Sequence, residues 1–111
     1  MEISSRQQSG ITILTLDGRL DGETSPALEK TIHHHLANGQ NQLLFDCPQL
    51  NYISSAGLRV FLLSSKKTTA AGGSIAFCSL QTGILEVFEL SGFDQLFTNH
   101  PDLETALQTF L

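Results

Sequence analysis

The chain has 111 residues, 41% of them hydrophobic and 15% charged, with six basic against eleven acidic side chains and a net charge of −5. That is the length of one domain, residues 1–111, with enough apolar content to bury a core and too little charge for a disordered chain. Scattered basic residues (only Lys66-Lys67 are adjacent) exclude a direct nucleic-acid surface, apolar runs as short as Val60–Leu63 predict no membrane insertion, and a start at Met1–Arg6 without a basic-then-apolar leader predicts a cytoplasmic protein.

Ile11-Thr12-Ile13-Leu14-Thr15-Leu16 is β-branched and partly alternating, which predicts a strand, and Asp17-Gly18 supplies a turn to close it. Ile3 and its neighbours, before Ser9-Gly10, are placed to pair with it as a short edge strand. Ser25-Pro26 reads as a helix start, with Ser25 as the cap and Pro26 at the first helical position. Leu28, Ile32, His35 and Leu36 then recur at helical spacing until Asn38-Gly39. Gln42–Asp46 is a short apolar strand, followed by a polar turn through Asn51.

From Ala56 to roughly Ala71 the pattern predicts a helix with Leu58, Phe61, Leu62 and Ser65 inward, and Val60 and Leu63 widening that face. Lys66 and Lys67 suit its later turns, and Gly72-Gly73 stops it. Ser74–Cys78 is a further buried strand, and Thr82–Leu90 a helix with Ile84, Leu85, Val87 and Phe88 inward. Leu96-Phe97 is the expected last strand, and Asp102–Phe110 a final amphipathic helix burying Leu103, Ala106, Leu107 and Phe110. The order predicts an α/β fold: a mixed, mostly parallel sheet of four to five strands flanked by about four helices, with right-handed crossovers.

In such sheets, ligands and partners meet the carboxyl ends of strands and the helix N-termini that follow. The stretch Tyr52-Ile53-Ser54-Ser55-Ala56-Gly57-Leu58 builds such an end, with two hydroxyls at a helix start whose first amides lack partners. One role for Ser54 or Ser55 is to cap that helix, a contribution of about 1 kcal/mol. The other is display of a hydroxyl where a phosphate suits the helix dipole. His33-His34-His35 looks like a metal tract, but helical neighbours splay by about 100° each, and Glu29, one turn earlier, finds no third ligand. Neither a metal nor a cofactor is therefore expected. Cys47 and Cys78 make no disulfide framework or metal pair and read as small buried thiols. Asp21 and Asp46 could pair as acids, yet a hydrolase would also need a cleft, and few polar groups converge.

Leu16-Asp17-Gly18-Arg19-Leu20-Asp21 resembles the early L-x-G-x-L-D signature of STAS domains, the anti-sigma factor antagonist family. Tyr52–Leu58 is similar to that family's central motif, an aromatic and an aliphatic residue followed by D/S-S-x-G-L, and Gly72-Gly73 and Leu90-Ser91-Gly92-Phe93 also fit. The resemblance spans nearly the whole chain and implies a STAS-like fold and a binding module rather than an enzyme. It implies that Ser55 is phosphorylated by a partner that is both anti-sigma factor and serine kinase of the histidine-kinase-like ATPase type. Unphosphorylated, such a protein binds the kinase and frees a sigma factor or equivalent output; phosphorylated, it lets go, and a PP2C-type phosphatase resets it.

Many members carry Asp immediately before the phosphorylated serine; here that position is Ser54, which becomes the second choice for modification. The partner-facing surface implied is Asp21, Gly22, Ser54, Ser55, Gly57 and Arg59, and it is expected to be acidic, so that an added dianion repels. An alternative within the same family is a stand-alone subunit of an ABC-type lipid-transport complex, in which the surface is constitutive structure. A nucleotide-binding domain or small enzyme is the remaining reading.

Overall fold

Successive residues of a strand point to opposite faces of a sheet, and in β2 (Ile11–Leu20) both sets are apolar. Ile11 and Ile13 join one buried cluster, Leu14, Leu16 and Leu20 the other. Such a strand needs cover on both sides. The computed structural model, which describes residues 1–110, supplies it by flanking one sheet with helices on both faces.

The sheet has five strands in the order β1-β2-β3-β4-β5. After the edge strand β1 (Glu2–Gln8), which runs antiparallel to β2, the strands β3 (Gln42–Ile53), β4 (Ser74–Cys78) and β5 (Thr98–His100) each add in parallel. The helices are α1 (Ser25–Ala37), α2 (Ser55–Ala70), α3 (Thr82–Ser91) and α4 (Leu103–Phe110), with a short 3-10 turn at Phe93–Gln95. The expected mixed, mostly parallel architecture with four helices is the one observed.

Helices α1, α2 and α3 bury Leu28, Ile32, Val60, Phe61, Ile84 and Phe88 against one face of the sheet. Helix α4 sets Ala106 over Leu44, Ala76 and Cys78 on the other. At the centre of the larger core, six of the seven phenylalanines form a continuous cluster with ring centroids 4.8–6.4 Å apart. Phe61 of α2 stands edge-on to Phe77 of β4, so α2 is locked to the middle of the sheet by tilted and edge-to-face contacts. Cys47 and Cys78 are free, buried and assigned to opposite clusters. Burial drives the Cys47 thiol well above its ordinary range; burial and the Asp46 carboxylate beside it push Cys78 up to about 12.

Several sequence expectations need correction. Ser25 is not the cap of α1: it lies inside the helix, buried, with its hydroxyl donating to the Asp21 carbonyl, and Thr24 precedes it. Asp17-Gly18 does not end β2, and Asp46 does not end β3. Both strands run on past two shifts in their mutual register, one around Pro48, where a missing N–H costs the ladder nothing, and one between Gly18 and Arg19, opposite Asn51. The last strand is Thr98–His100 rather than Leu96-Phe97; Phe97 is pulled into the aromatic core and Leu96 is left 61% exposed.

The buried face of α2 is rotated from the expected one. Gly57, Val60, Phe61, Ser64 and Thr68 face inward, Leu58, Leu62 and Ser65 are only partly covered, and Leu63 is exposed. Small residues let the helix lie close to the sheet, and Thr68 satisfies its hydroxyl by donating to the Ser64 carbonyl at 2.7 Å.

The connection from α2 to β4 is tight. A side chain at Gly73 would overlap the backbone carbonyl oxygen of Asn41, an atom that cannot swing away. Gly73→Ala is therefore expected to cost about 2–3 kcal/mol, read from urea unfolding midpoints, whereas Gly83→Ala, which meets open space, should not destabilise. Equal midpoints for Gly73→Ala and wild type would show that the connection relaxes freely.

Candidate functional site

Parallel pairing carries the C-terminal ends of β2 and β3 to the same edge, with Leu20 opposite Ile53. The next amide, that of Ser54, still donates to the Leu20 carbonyl at 2.9 Å, so the chain leaves the sheet only after Ser54. Ser54 is extended, with φ −95° and ψ 174°, and its hydroxyl accepts from the Gly57 amide at 3.4 Å. Its carbonyl takes the first helical bond, from the Leu58 amide at 3.0 Å. Ser54 is thus the cap of α2. Ser55 occupies the first helical position and is exposed. The two neighbouring hydroxyls have separate situations: one is engaged with the backbone, the other faces solvent.

Gly57 makes this start possible. A Cβ there would lie 2.8 Å from Leu20 Cγ and 2.9 Å from Ile53 Cγ1. Its bare Cα brings the first turn of α2 down onto the strand ends, and it is buried, so it shapes the surface without being presented on it.

Asp21 follows β2 directly. Its Oδ1 accepts from the amides of Glu23 at 3.0 Å and Thr24 at 3.2 Å, which closes the loop into α1. The Thr24 amide foremost, helped by the Glu23 amide, the Thr24 hydroxyl and Arg19, outweighs partial desolvation and holds the Asp21 carboxyl below its usual range. Arg19 Nε lies 3.9 Å from Asp21 Oδ2, and its guanidinium sits 4.0 Å from the centroid of the Tyr52 ring. Gly22 and Arg59 are exposed, while Asp21 and Ser54 are half-buried.

Of the residues singled out from sequence, Asp21, Gly22, Ser54 and Ser55 gather where β2 and β3 end, and Arg59 follows Ser55 by one helical turn. Arg19 and Tyr52 were missed. Their signal was available in the two motifs, each standing one residue before the aliphatic Leu20 or Ile53 that the register pairs. The charges around this surface are of mixed sign: helix α2 contains no Asp or Glu and carries the exposed Arg59, while Asp21, paired with Arg19, follows the end of β2.

Asp21 and Asp46 do not pair as acids: Asp46 accepts from the Cys78 thiol at 3.4 Å while Asp21 is committed to its own loop. Among the histidines of α1, His33 and His34 are exposed and His35 is buried against Gln40, with its ring 5.6 Å from that of His34, and no group of three ligands gathers around them among the described residues.

The family profile described as the STAS domain matches residues 2–106. BtrV of Bordetella bronchiseptica, named as a candidate anti-sigma factor antagonist, is 33% identical over 110 residues, covering 99% of this chain and 95% of that one. Among solved structures, a candidate anti-sigma factor antagonist of Thermotoga maritima superposes with a TM-score of 0.92 at 19% identity, over 96% of this chain and 92% of the other. The Bacillus cell fate determinant SpoIIAA in its phosphorylated form gives a TM-score of 0.73 at 16% identity, over 99% of this chain and all of that one.

Two outcomes check this geometry. Ser54→Ala should lose about 1 kcal/mol of stability with the cap, and Ser55→Ala should stay within about 0.5 kcal/mol of wild type; matching losses in urea melts would mean that both hydroxyls hold the helix. The lowered pKa of folded Asp21 gives a pH dependence as well. Its ionised form stabilises the fold above the ordinary carboxylate range, and that contribution is lost as pH falls through the lowered value. The stability gap between wild type and Asp21→Asn should therefore narrow on acidification, and a gap independent of pH would remove ionisation from the account.

Proposed function

The chain belongs to the STAS domain family, and we propose that it acts as an anti-sigma factor antagonist whose binding is switched by phosphorylation of Ser55. The observation that carries the reading is the division of labour at the head of α2, where Ser54 caps the helix and Ser55 is free and exposed. A kinase needs a hydroxyl it can reach without unfolding its substrate, and Ser55 offers one. The resemblance of Tyr52–Leu58 to the family's central motif supports the same residue as the site of the phosphate.

The partner proposed is an anti-sigma factor that is also a serine kinase of the histidine-kinase-like ATPase type, met in the cytoplasm. Unphosphorylated protein occupies it and releases the sigma factor or an equivalent regulator. Phosphate at Ser55 adds about −1.5 to −2 charges at the contact and ends the association. A PP2C-type phosphatase restores the binding form. The protein itself performs no catalysis in this scheme; it is the substrate of both enzymes. Asp21, with Gly22 and Arg59, frames the contact surface around Ser55.

The test is a pull-down from source cells with wild type, Ser55→Ala and Ser55→Asp as baits, with captured proteins and bait phosphorylation read by mass spectrometry. A histidine-kinase-like ATPase should be retained by wild type and Ser55→Ala and be at least about tenfold depleted with Ser55→Asp, the effect of some 1.4 kcal/mol. If all three baits retain the same transporter subunits and Ser55 carries no phosphate, the constitutive lipid-transport reading replaces this one.

A further inference from the structure

Charge is unevenly divided in this molecule. Helices α1 and α2 together hold four of the chain's six Lys and Arg and only one of its eleven Asp and Glu. The remainder of a protein of net charge −5 is therefore strongly acidic, and these two helices form a basic face.

On α2 the distribution follows helical geometry. Gly57, Val60, Phe61 and Ser64 point into the core, so the positions opposite them are Ser55, Arg59 and Lys66, spaced by one and then two turns. All three are exposed, as is Lys67 beside them. Lys67 also lines a crevice of about 290 Å³ between α2 and α1 with Lys30, His33 and Glu29, which extends the basic face across to α1. Nothing within α2 neutralises it, since that helix has no acidic residue.

We infer that the outward face of α2, from Ser55 through Arg59 to Lys66 and Lys67, is a docking surface for an acidic patch on the partner protein. The inference rests on the switch proposed above and says what drives it. A basic stripe on an otherwise acidic protein steers the molecule so that this face meets a partner of opposite sign. Phosphate at Ser55 sits one turn before Arg59, the spacing at which helical side chains interact. It offsets that cation and leaves an excess of negative charge at the head of the stripe. The sign of the surface reverses where contact begins, and an acidic patch is repelled. This accounts for release without any change in fold.

The test uses the kinase retained by the Ser55→Ala bait, purified, with association followed by surface plasmon resonance. Raising NaCl from about 0.1 M to about 1 M, which shortens the screening length about threefold, should slow association of the wild-type protein. The double variant Lys66→Glu/Lys67→Glu should associate roughly tenfold more slowly, whereas Arg6→Glu, at an exposed cation on β1, should associate like wild type. Equal slowing by both variants, or by neither, would overturn the docking face. Retention of a fluorescent RNA oligonucleotide by wild type, lost in the lysine variant, would overturn it in favour of a nucleic-acid surface. Ser55→Asp run alongside separates the two claims, because binding of that variant at wild-type strength defeats the switch itself rather than the face.

Discussion

The close approach of Gly57 to Leu20 and Ile53 is the constraint on which the rest of the site depends. With side-chain carbons 2.8 and 2.9 Å from where a Cβ would stand, α2 can begin against the ends of β2 and β3 only if residue 57 has no side chain. Once the helix begins there, the Ser54 amide reaches the Leu20 carbonyl, the Ser54 hydroxyl reaches the Gly57 amide, and Ser55 is turned outward. The aromatic cluster sets the other end of the same lever. Phe61, one turn further along α2, packs against the stacked pair of Phe45 and Phe77, so the helix can neither slide nor roll without opening the core.

This arrangement gives two adjacent residues of the same type different situations, one structural and one open to the proposed modification. Ser54 stabilises the helix through the backbone and is half-buried. Ser55 contributes little to packing and is therefore available for chemistry. Asp21 works on the structural side of that division, since its carboxylate is committed to the amides of Glu23 and Thr24. What it offers outward is the second oxygen, 3.9 Å from Arg19, whose guanidinium lies over Tyr52. An exposed ion pair of this length contributes little stability.

The sheet and helix order was legible in the sequence because it is written in local terms: β-branched runs, Gly and Asn stops, apolar residues at helical spacing. The features that were not legible depend on partners distant in sequence. Asp46-Cys47-Pro48 looks like the end of a strand, yet β2 continues alongside and the two strands shift register together. The inward face of α2 was misread because hydrophobicity favoured Leu58 and Leu62 over Gly57, Ser64 and Thr68. Closeness to the sheet favours small side chains, and that closeness is a tertiary fact. The positions of Ser54 and Ser55 were legible from the motif, but which of them caps the helix required the geometry.

On the switch proposed above, the same geometry would let a phosphate on Ser55 act through charge rather than through rearrangement. The residue lies at the first position of α2, where the unpaired amides of the first turn favour an anion, and no acidic residue occupies that turn. Modification there adds bulk to a side chain that faces solvent and removes no hydrogen bond from the cap, which belongs to Ser54. Nothing in the core is asked to move, because Phe61 and Gly57 hold α2 independently of Ser55. In the proposed switch the modified and unmodified forms would share one fold and differ in the charge of one surface.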